Sequence, residues 1–244
     1  MTPALEICLA ADDLVQLGKN TQAVLEGGAV RIELCANMAE QGLTPTFEAV
    51  QLVKNMIGDS VELMVMLRPI AGHFCYSFAQ IDSMLVTMER LAKAGADGVV
   101  TGVLNEEHQP DYVTLDLLLE HAKMLGLSVT FHRAFDAIDN QYQALERFIQ
   151  LGINRVLTSG TDWLSTQGVE YGIHRLQDFL NIVDNHMEII VGGGVSLANI
   201  DSLKQQLAGN NRRISFHTYS AVLEGNQVNR LKVANMVSCL TQIT

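Results

Sequence analysis

Along the chain, short runs with a two-residue apolar alternation take turns with longer stretches in which apolar positions recur every three or four residues. The first period is that of a pleated strand and the second that of an amphipathic helix. Strand-like runs fall at ALEICLA (4–10), RIELC (31–35), ELMVMLRP (62–69), GVVTGVL (98–104), SVTFHRAF (128–135), RVLTSG (155–160), EIIVGGG (188–194) and RISFHTYS (213–220). Between them lie helix-like segments such as FEAVQLVKNMIG, IDSMLVTMERLAKAG, LDLLLEHAKMLG, QALERFIQLG and LANIDSLKQQLAG. Most of the helical segments stop at a glycine (Gly28, Gly58, Gly95, Gly126, Gly152 or Gly209), a residue that readily turns a chain out of a helix.

Eight such units of about 30 residues follow one another without a Pro, Gly or Ser-rich linker. This rhythm predicts an α/β protein built as a single (β/α)8 TIM barrel over residues 1–244, in preference to an open doubly wound sheet. A composition of 48% hydrophobic and 18% charged residues supplies the core such a domain needs and excludes a disordered chain.

In a barrel strand, alternation sorts side chains between the interior and the helix layer. Leu5, Ile7 and Leu9 form one set in the first run, leaving Glu6 and Cys8; Ile32 and Leu34 leave Arg31, Glu33 and Cys35; Leu63, Val65 and Leu67 leave Met64, Met66 and Arg68. The echo of EIC (6–8) in ELC (33–35) predicts Glu6 beside Glu33 and Cys8 beside Cys35, at about 5 Å strand spacing. In VTFHRAFD (129–136), Thr130, His132 and Asp136 share a face opposite Val129, Phe131 and Phe135, while Arg133 falls on the apolar side and breaks the pattern. The last run pairs Ser215 with His217.

Active sites of such barrels collect at the C-terminal ends of the strands. Glu6, Cys8, Glu33, Cys35, Arg68, His132, Asp136 and His217 are therefore expected at one mouth. The competing reading is structural: Arg68 bridges Glu33 or Glu6 and nothing more. A second candidate site lies in IIVGGGVSLANI (189–200), where Gly192, Gly193 and Gly194 precede a helix; with Ser159 and Gly160 of LTSGTD (157–162) they could hold a phosphate or other anion. The same glycines also suit a tight turn that only needs their geometry.

Charge and cysteine usage narrow the partners. A net charge of −11 argues against nucleic acid, which needs clustered Lys and Arg. The opening MTPALEICLAADD has no basic leader and no later apolar run reaches bilayer length, so a cytoplasmic protein away from membranes is expected. Cys8, Cys35, Cys75 and Cys239 form no CxxC pair and are expected as reduced thiols.

RIELC followed by LTP (43–45), MLRP, GADGVVTGVL, VTFHRAFD, RVLTSG and VGGGV occur in that order, and in this the chain resembles the CutC family over nearly its whole length. The resemblance implies a cytoplasmic TIM-barrel protein, usually a homo-oligomer, whose family name ties it to copper homeostasis and copper binding. It carries the family's shared polar positions onto Glu6, Cys8, Glu33, Cys35, Arg68, His132, Arg133, Asp136 and His217. The interval 161–187, with Trp163 and His174, is less motif-like.

Two functions follow from these residues. In one, Cys8 and Cys35 bind copper, with His132, His217 or Met66 as further ligands, because Cu(I) favours thiolate and thioether sulfur. In the other, the chain is an enzyme of isomerase, aldolase or lyase type on a small phosphorylated or carboxylated metabolite: the glycine turn or Arg68 and Arg133 hold the anion, and His132 with Glu33 or Asp136 moves the proton. The apolar VANMVSCL (233–240) is a candidate oligomer contact, with ordinary packing on the barrel as the alternative.

Overall fold

Eight parallel strands hydrogen-bond in sequence order and close on themselves: β1 (Ala4–Ala10), β2 (Arg31–Cys35), β3 (Glu62–Met66), β4 (Gly98–Thr101), β5 (Ser128–Phe131), β6 (Arg155–Thr158), β7 (Glu188–Val191) and β8 (Ile214–Thr218). The computed structural model describes residues 2–163, 165–207, 209 and 212–242. Helices α1 (Leu14–Gly27), α2 (Phe47–Ile57), α3 (Phe78–Lys93), α4 (Tyr112–Met124), α5 (Gln141–Leu151), α6 (Ile173–Val183), α7 (Ile200–Leu207) and α8 (Arg230–Thr241) form the outer layer. This is the (β/α)8 TIM barrel that the alternating pattern predicts. Ala208, inside the predicted LANIDSLKQQLAG helix, lies outside the described residues.

The helices begin and end where side-chain chemistry dictates. Asp13 accepts hydrogen bonds from Val15 and Gln16 at the start of α1, and Gly28 at φ 80° closes it by donating its N–H to the Leu25 carbonyl. Ser77 and Gln80 form a reciprocal capping box at the start of α3. Leu5, Ile7, Leu9, Ile32, Leu34, Leu63 and Val65 pack outward into one continuous core with the inner faces of the helices. Val233, Met236 and Leu240 of VANMVSCL are buried in that same core, so these three side chains pack on the barrel.

Most strands are shorter than the apolar runs. β5 ends at Phe131, and Arg133–Ala137 form a 3-10 turn instead of continuing the strand to 135. Arg133 therefore has no strand parity to obey, which explains its place outside the alternation. A two-stranded antiparallel pair, Leu223–Glu224 with Gln227–Val228, follows β8 and was not anticipated.

The register between β1 and β2 also differs from expectation. Cys8 pairs with Glu33, and Cys35 pairs with Ala10, so Glu6 stands opposite Arg31 rather than Glu33. Closing a tilted barrel staggers neighbouring strands, and the similarity of two tripeptides carries no information about that stagger.

The barrel floor is a ring of charge. Arg31 donates to Glu62 at 2.7 Å and to Glu188 at 2.9 Å, and Arg155 pairs with the same two carboxylates. Glu188 is held below the usual carboxylate range: burial alone would raise it, but Arg31 outweighs this. These four groups seal the N-terminal end and leave the other end of the interior for a pocket.

Candidate functional site at the barrel mouth

Above the floor, the interior changes from paired charges to thiols and thioethers. Cys8, Cys35, Met64, Met66 and Val100 form a separate buried cluster, with Met38 and Tyr219 packed against it. A cavity of about 220 Å³ opens above it at the C-terminal ends of the strands. Cys8, Glu33, Cys35, Met66, Arg68, His132 and His217 line it from the barrel; Met38, Gln41, Phe74, Arg133, Leu157 and Trp163 complete the wall.

Two neighbouring strands, β1 and β2, carry the acids and thiols, and β8 on the other side of β1 adds His217. Oxygen of Glu33 and the sulfurs of Cys8 and Cys35 all lie within 4.8 Å of one another, as do the donor atoms of Glu6, Glu33 and His217. The register explains the first group, since Cys8 lies directly across from Glu33 and Cys35 is two residues further along the same face. His217 reaches Glu6 from β8, with Nδ1 2.7 Å from Oε1, and its Nε2 is 3.7 Å from Glu33 Oε2.

These groups hold their protons tightly. A hydrogen bond with Cys35 lowers the Cys8 thiol, but burial and the charges of Glu33 and Glu6 outweigh it and push the thiol up to about 11. Cys35 is raised well above a free thiol by its bond with Cys8, by burial and by Glu33. Burial raises Glu33, with His217 opposing and Glu6 adding to the rise. His217 is lowered by burial, yet Glu33 and the bond to Glu6 carry it above the ordinary imidazole value. A cation bound by these groups has to displace the protons they hold.

The opposite side of the cavity is built differently. Arg68 is only 2% exposed, and no carboxylate lies within ion-pair distance of it among the described residues. Instead its Nη1 donates to the carbonyls of Glu40 (2.9 Å), Gln41 (3.4 Å) and Gly42 (3.2 Å). The bridge from Arg68 to Glu33 or Glu6, the competing structural reading, is therefore not formed. His132 accepts the Ala134 N–H at Nδ1 (3.1 Å), which puts the proton of the neutral ring on Nε2. Burial, reinforced by the charge of Arg68, lowers His132 to about 3, so it is a neutral donor and not a base at pH 7.

Asp136 does not line this cavity. Its carboxylate accepts from Arg133 Nε (2.8 Å), from the N–H and hydroxyl of Ser159 (3.2 and 3.0 Å), and from the hydroxyl of Thr158. It holds Arg133 in place, and a proton-transfer pair of His132 with Asp136 is not what the side chains form.

The glycine turn also stands apart from the cavity. Gly193 has φ +85°, and a Cβ there would lie 2.7 Å from Ser159 Cβ, so glycine allows β6 and β7 loops to touch. The Gly193 carbonyl accepts from the Val169 N–H and that of Gly194 from Asn199 Nδ2. Ser159, expected to help hold an anion, is engaged with Asp136 and Arg133. Neither Gly160 nor Gly192, Gly193 or Gly194 lines the cavity.

Four wall residues were not singled out as site candidates: Met38, Gln41, Phe74 and Leu157. Trp163, set aside with the less motif-like interval, also belongs here. It meets Phe74 edge-on at 5.2 Å and lies 5.4 Å beneath the Arg133 guanidinium. His174, from the same interval, is exposed at the start of α6.

The donor set suits copper(I). Two adjacent thiols with thioethers close by are the soft ligands that this ion prefers, and a carboxylate adds charge balance. Cys8, Cys35 and Glu33 would hold it, and binding would release the thiol protons.

The model of the CutC family matches residues 4–217. The chain is 37% identical over 199 residues to the family protein CutC of Vibrio atlanticus (strain LGP32), covering 82% of this chain and 76% of that one. It is 36% identical over 199 residues to the corresponding protein of Bacteroides fragilis (strain YCH46), covering 82% and 71%. Among solved structures it resembles a candidate copper homeostasis protein CutC from Streptococcus agalactiae, with a TM-score of 0.76, 26% identity, and 89% and 99% of the two chains covered. No helix among the described residues is long and apolar enough to cross a membrane.

Proposed function

The chain belongs to the CutC family, and from that premise we propose that its mouth pocket binds copper(I) and serves copper homeostasis in the cytoplasm. The observation that carries this reading is the buried Cys8, Glu33 and Cys35 group, whose ligand atoms lie within 4.8 Å of one another. Met66 and Met38 add soft sulfur nearby, and binding has to displace the protons that the raised thiols hold. The family name and the copper homeostasis description of the Streptococcus agalactiae relative support the choice of metal. The test is a Cu(I) titration of reduced protein against a chromophoric chelator. One equivalent should bind, and Cys8→Ser with Cys35→Ser should remove it; unchanged affinity in the double variant would end the reading.

A second reading, an isomerase, aldolase or lyase on a small carboxylated or phosphorylated metabolite, draws on the His217 contact with Glu6 and Glu33. An imidazole between two carboxylates at the floor of a pocket is equipped to move a proton.

A further inference from the structure

Opposite the thiols, the cavity wall carries donors that have no partner among the described residues. Arg68 Nε and His132 Nε2 are both buried and, among the described residues, without a hydrogen-bond partner. Leaving a donor unpaired away from water is costly, more so on a charged group, and native structures seldom do it without a ligand or ion to complete the set. Here two such donors, one on a cation, sit on side chains that line the same cavity.

Their chemistry is one-sided. A guanidinium without a carboxylate and an imidazole fixed as an Nε2–H donor both require an acceptor, and the charge calls for an anionic one. Arg133 stands at the same wall, held by Asp136 and Ser159 and resting over Trp163, and adds a second positive charge at the rim. Glu6, Glu33 and the thiols come from the adjacent strands β1 and β2, whereas Arg68 follows β3 and His132 and Arg133 follow β5. The pocket is therefore polarised, positive on one side and acidic on the other.

We infer that this wall is an oxyanion subsite, in which Arg68 and His132 take the carboxylate or phosphate group of a small metabolite while the rest of that molecule faces Cys8, Cys35 and Glu33. The cavity of about 220 Å³ limits the ligand to a compact one, below the 300–1,000 Å³ typical of sites for drug-sized molecules. The inference stands on the unpaired donors and holds with or without a metal at the thiols.

The test is a calorimetric titration of reduced, metal-free protein with inorganic phosphate and, separately, with succinate, each against sodium chloride of equal ionic strength. Saturable binding of at least one is expected, and the stronger of the two identifies the group recognised. Arg68→Gln and His132→Gln should each weaken that binding by roughly ten- to a hundredfold. Because Arg68 also ties down the 40–42 loop, a measurement on the wild-type chain accompanies the variants: the His132 Nε2 resonance in a long-range 1H–15N spectrum should move saturably with the same anion. Absence of binding by both anions, a His132 resonance that ignores them, or full affinity in folded Arg68→Gln protein would overturn the proposal.

Discussion

Arg31 and Glu188 face each other across the barrel floor, Nη1 to Oε1 at 2.9 Å and Nη2 to Oε2 at 3.3 Å, although 157 residues separate them in sequence. They stand on β2 and β7, which are not neighbours, so the pair bridges the barrel interior. Removing Glu188 leaves two buried guanidiniums, Arg31 and Arg155, to share the carboxylate of Glu62. Glu188→Ala is therefore predicted to cost about 3–5 kcal/mol, measured by urea unfolding.

The same pair sets an acid limit. Glu188 is depressed when folded, so its contribution is present above the unfolded carboxylate value near 4.3 and is lost as pH falls through the lower folded value. Melting temperature should decline across that window in the wild type, and the decline should flatten in Glu188→Gln. A decline of the same steepness in both would show that other carboxylates govern it.

His132 should remain neutral well into acid. Its folded value is lowered to about 3 while the unfolded imidazole titrates near 6.5, so the stabilisation it brings is complete above 6.5 and is lost as pH falls below that. Imidazole 15N shifts at pH 5 should report the Nε2–H tautomer. An imidazolium signal from His132 at that pH would contradict the assignment.

Gly102 makes room for His132. A Cβ at that position would lie 2.5 Å from His132 Cε1 and 2.6 Å from Nδ1. Gly102→Ala should destabilise the fold by about 1–3 kcal/mol and displace the ring from the Ala134 N–H, seen as a shifted His132 resonance.

The barrel was legible because its two periods are physical: Leu5, Ile7 and Leu9 face helices, and Cys8 and Glu6 face inward, wherever the strand stands. Register was not, because the stagger that sets Cys8 against Glu33 is a property of the closed barrel and leaves no mark on either strand alone. Candidate residues on strands were found by parity, whereas Gln41, Phe74 and Trp163 come from loops, where no period exists to reveal them. Arg68 was found, but its partners were not, since they are the backbone carbonyls of residues 40–42 and backbone has no sequence signature. The role of Asp136 was misread for a related reason: the 3-10 turn after Phe131 aims it at Arg133, Thr158 and Ser159.

The central claim is that sulfur from two adjacent strands grips a soft metal ion at the mouth. X-ray absorption at the copper edge, on reduced protein loaded with one equivalent of Cu(I), addresses it directly. The account predicts sulfur scatterers in the first coordination sphere, lost when Cys8 and Cys35 are both serine. A first sphere of nitrogen and oxygen alone, or one unchanged by those substitutions, would contradict it.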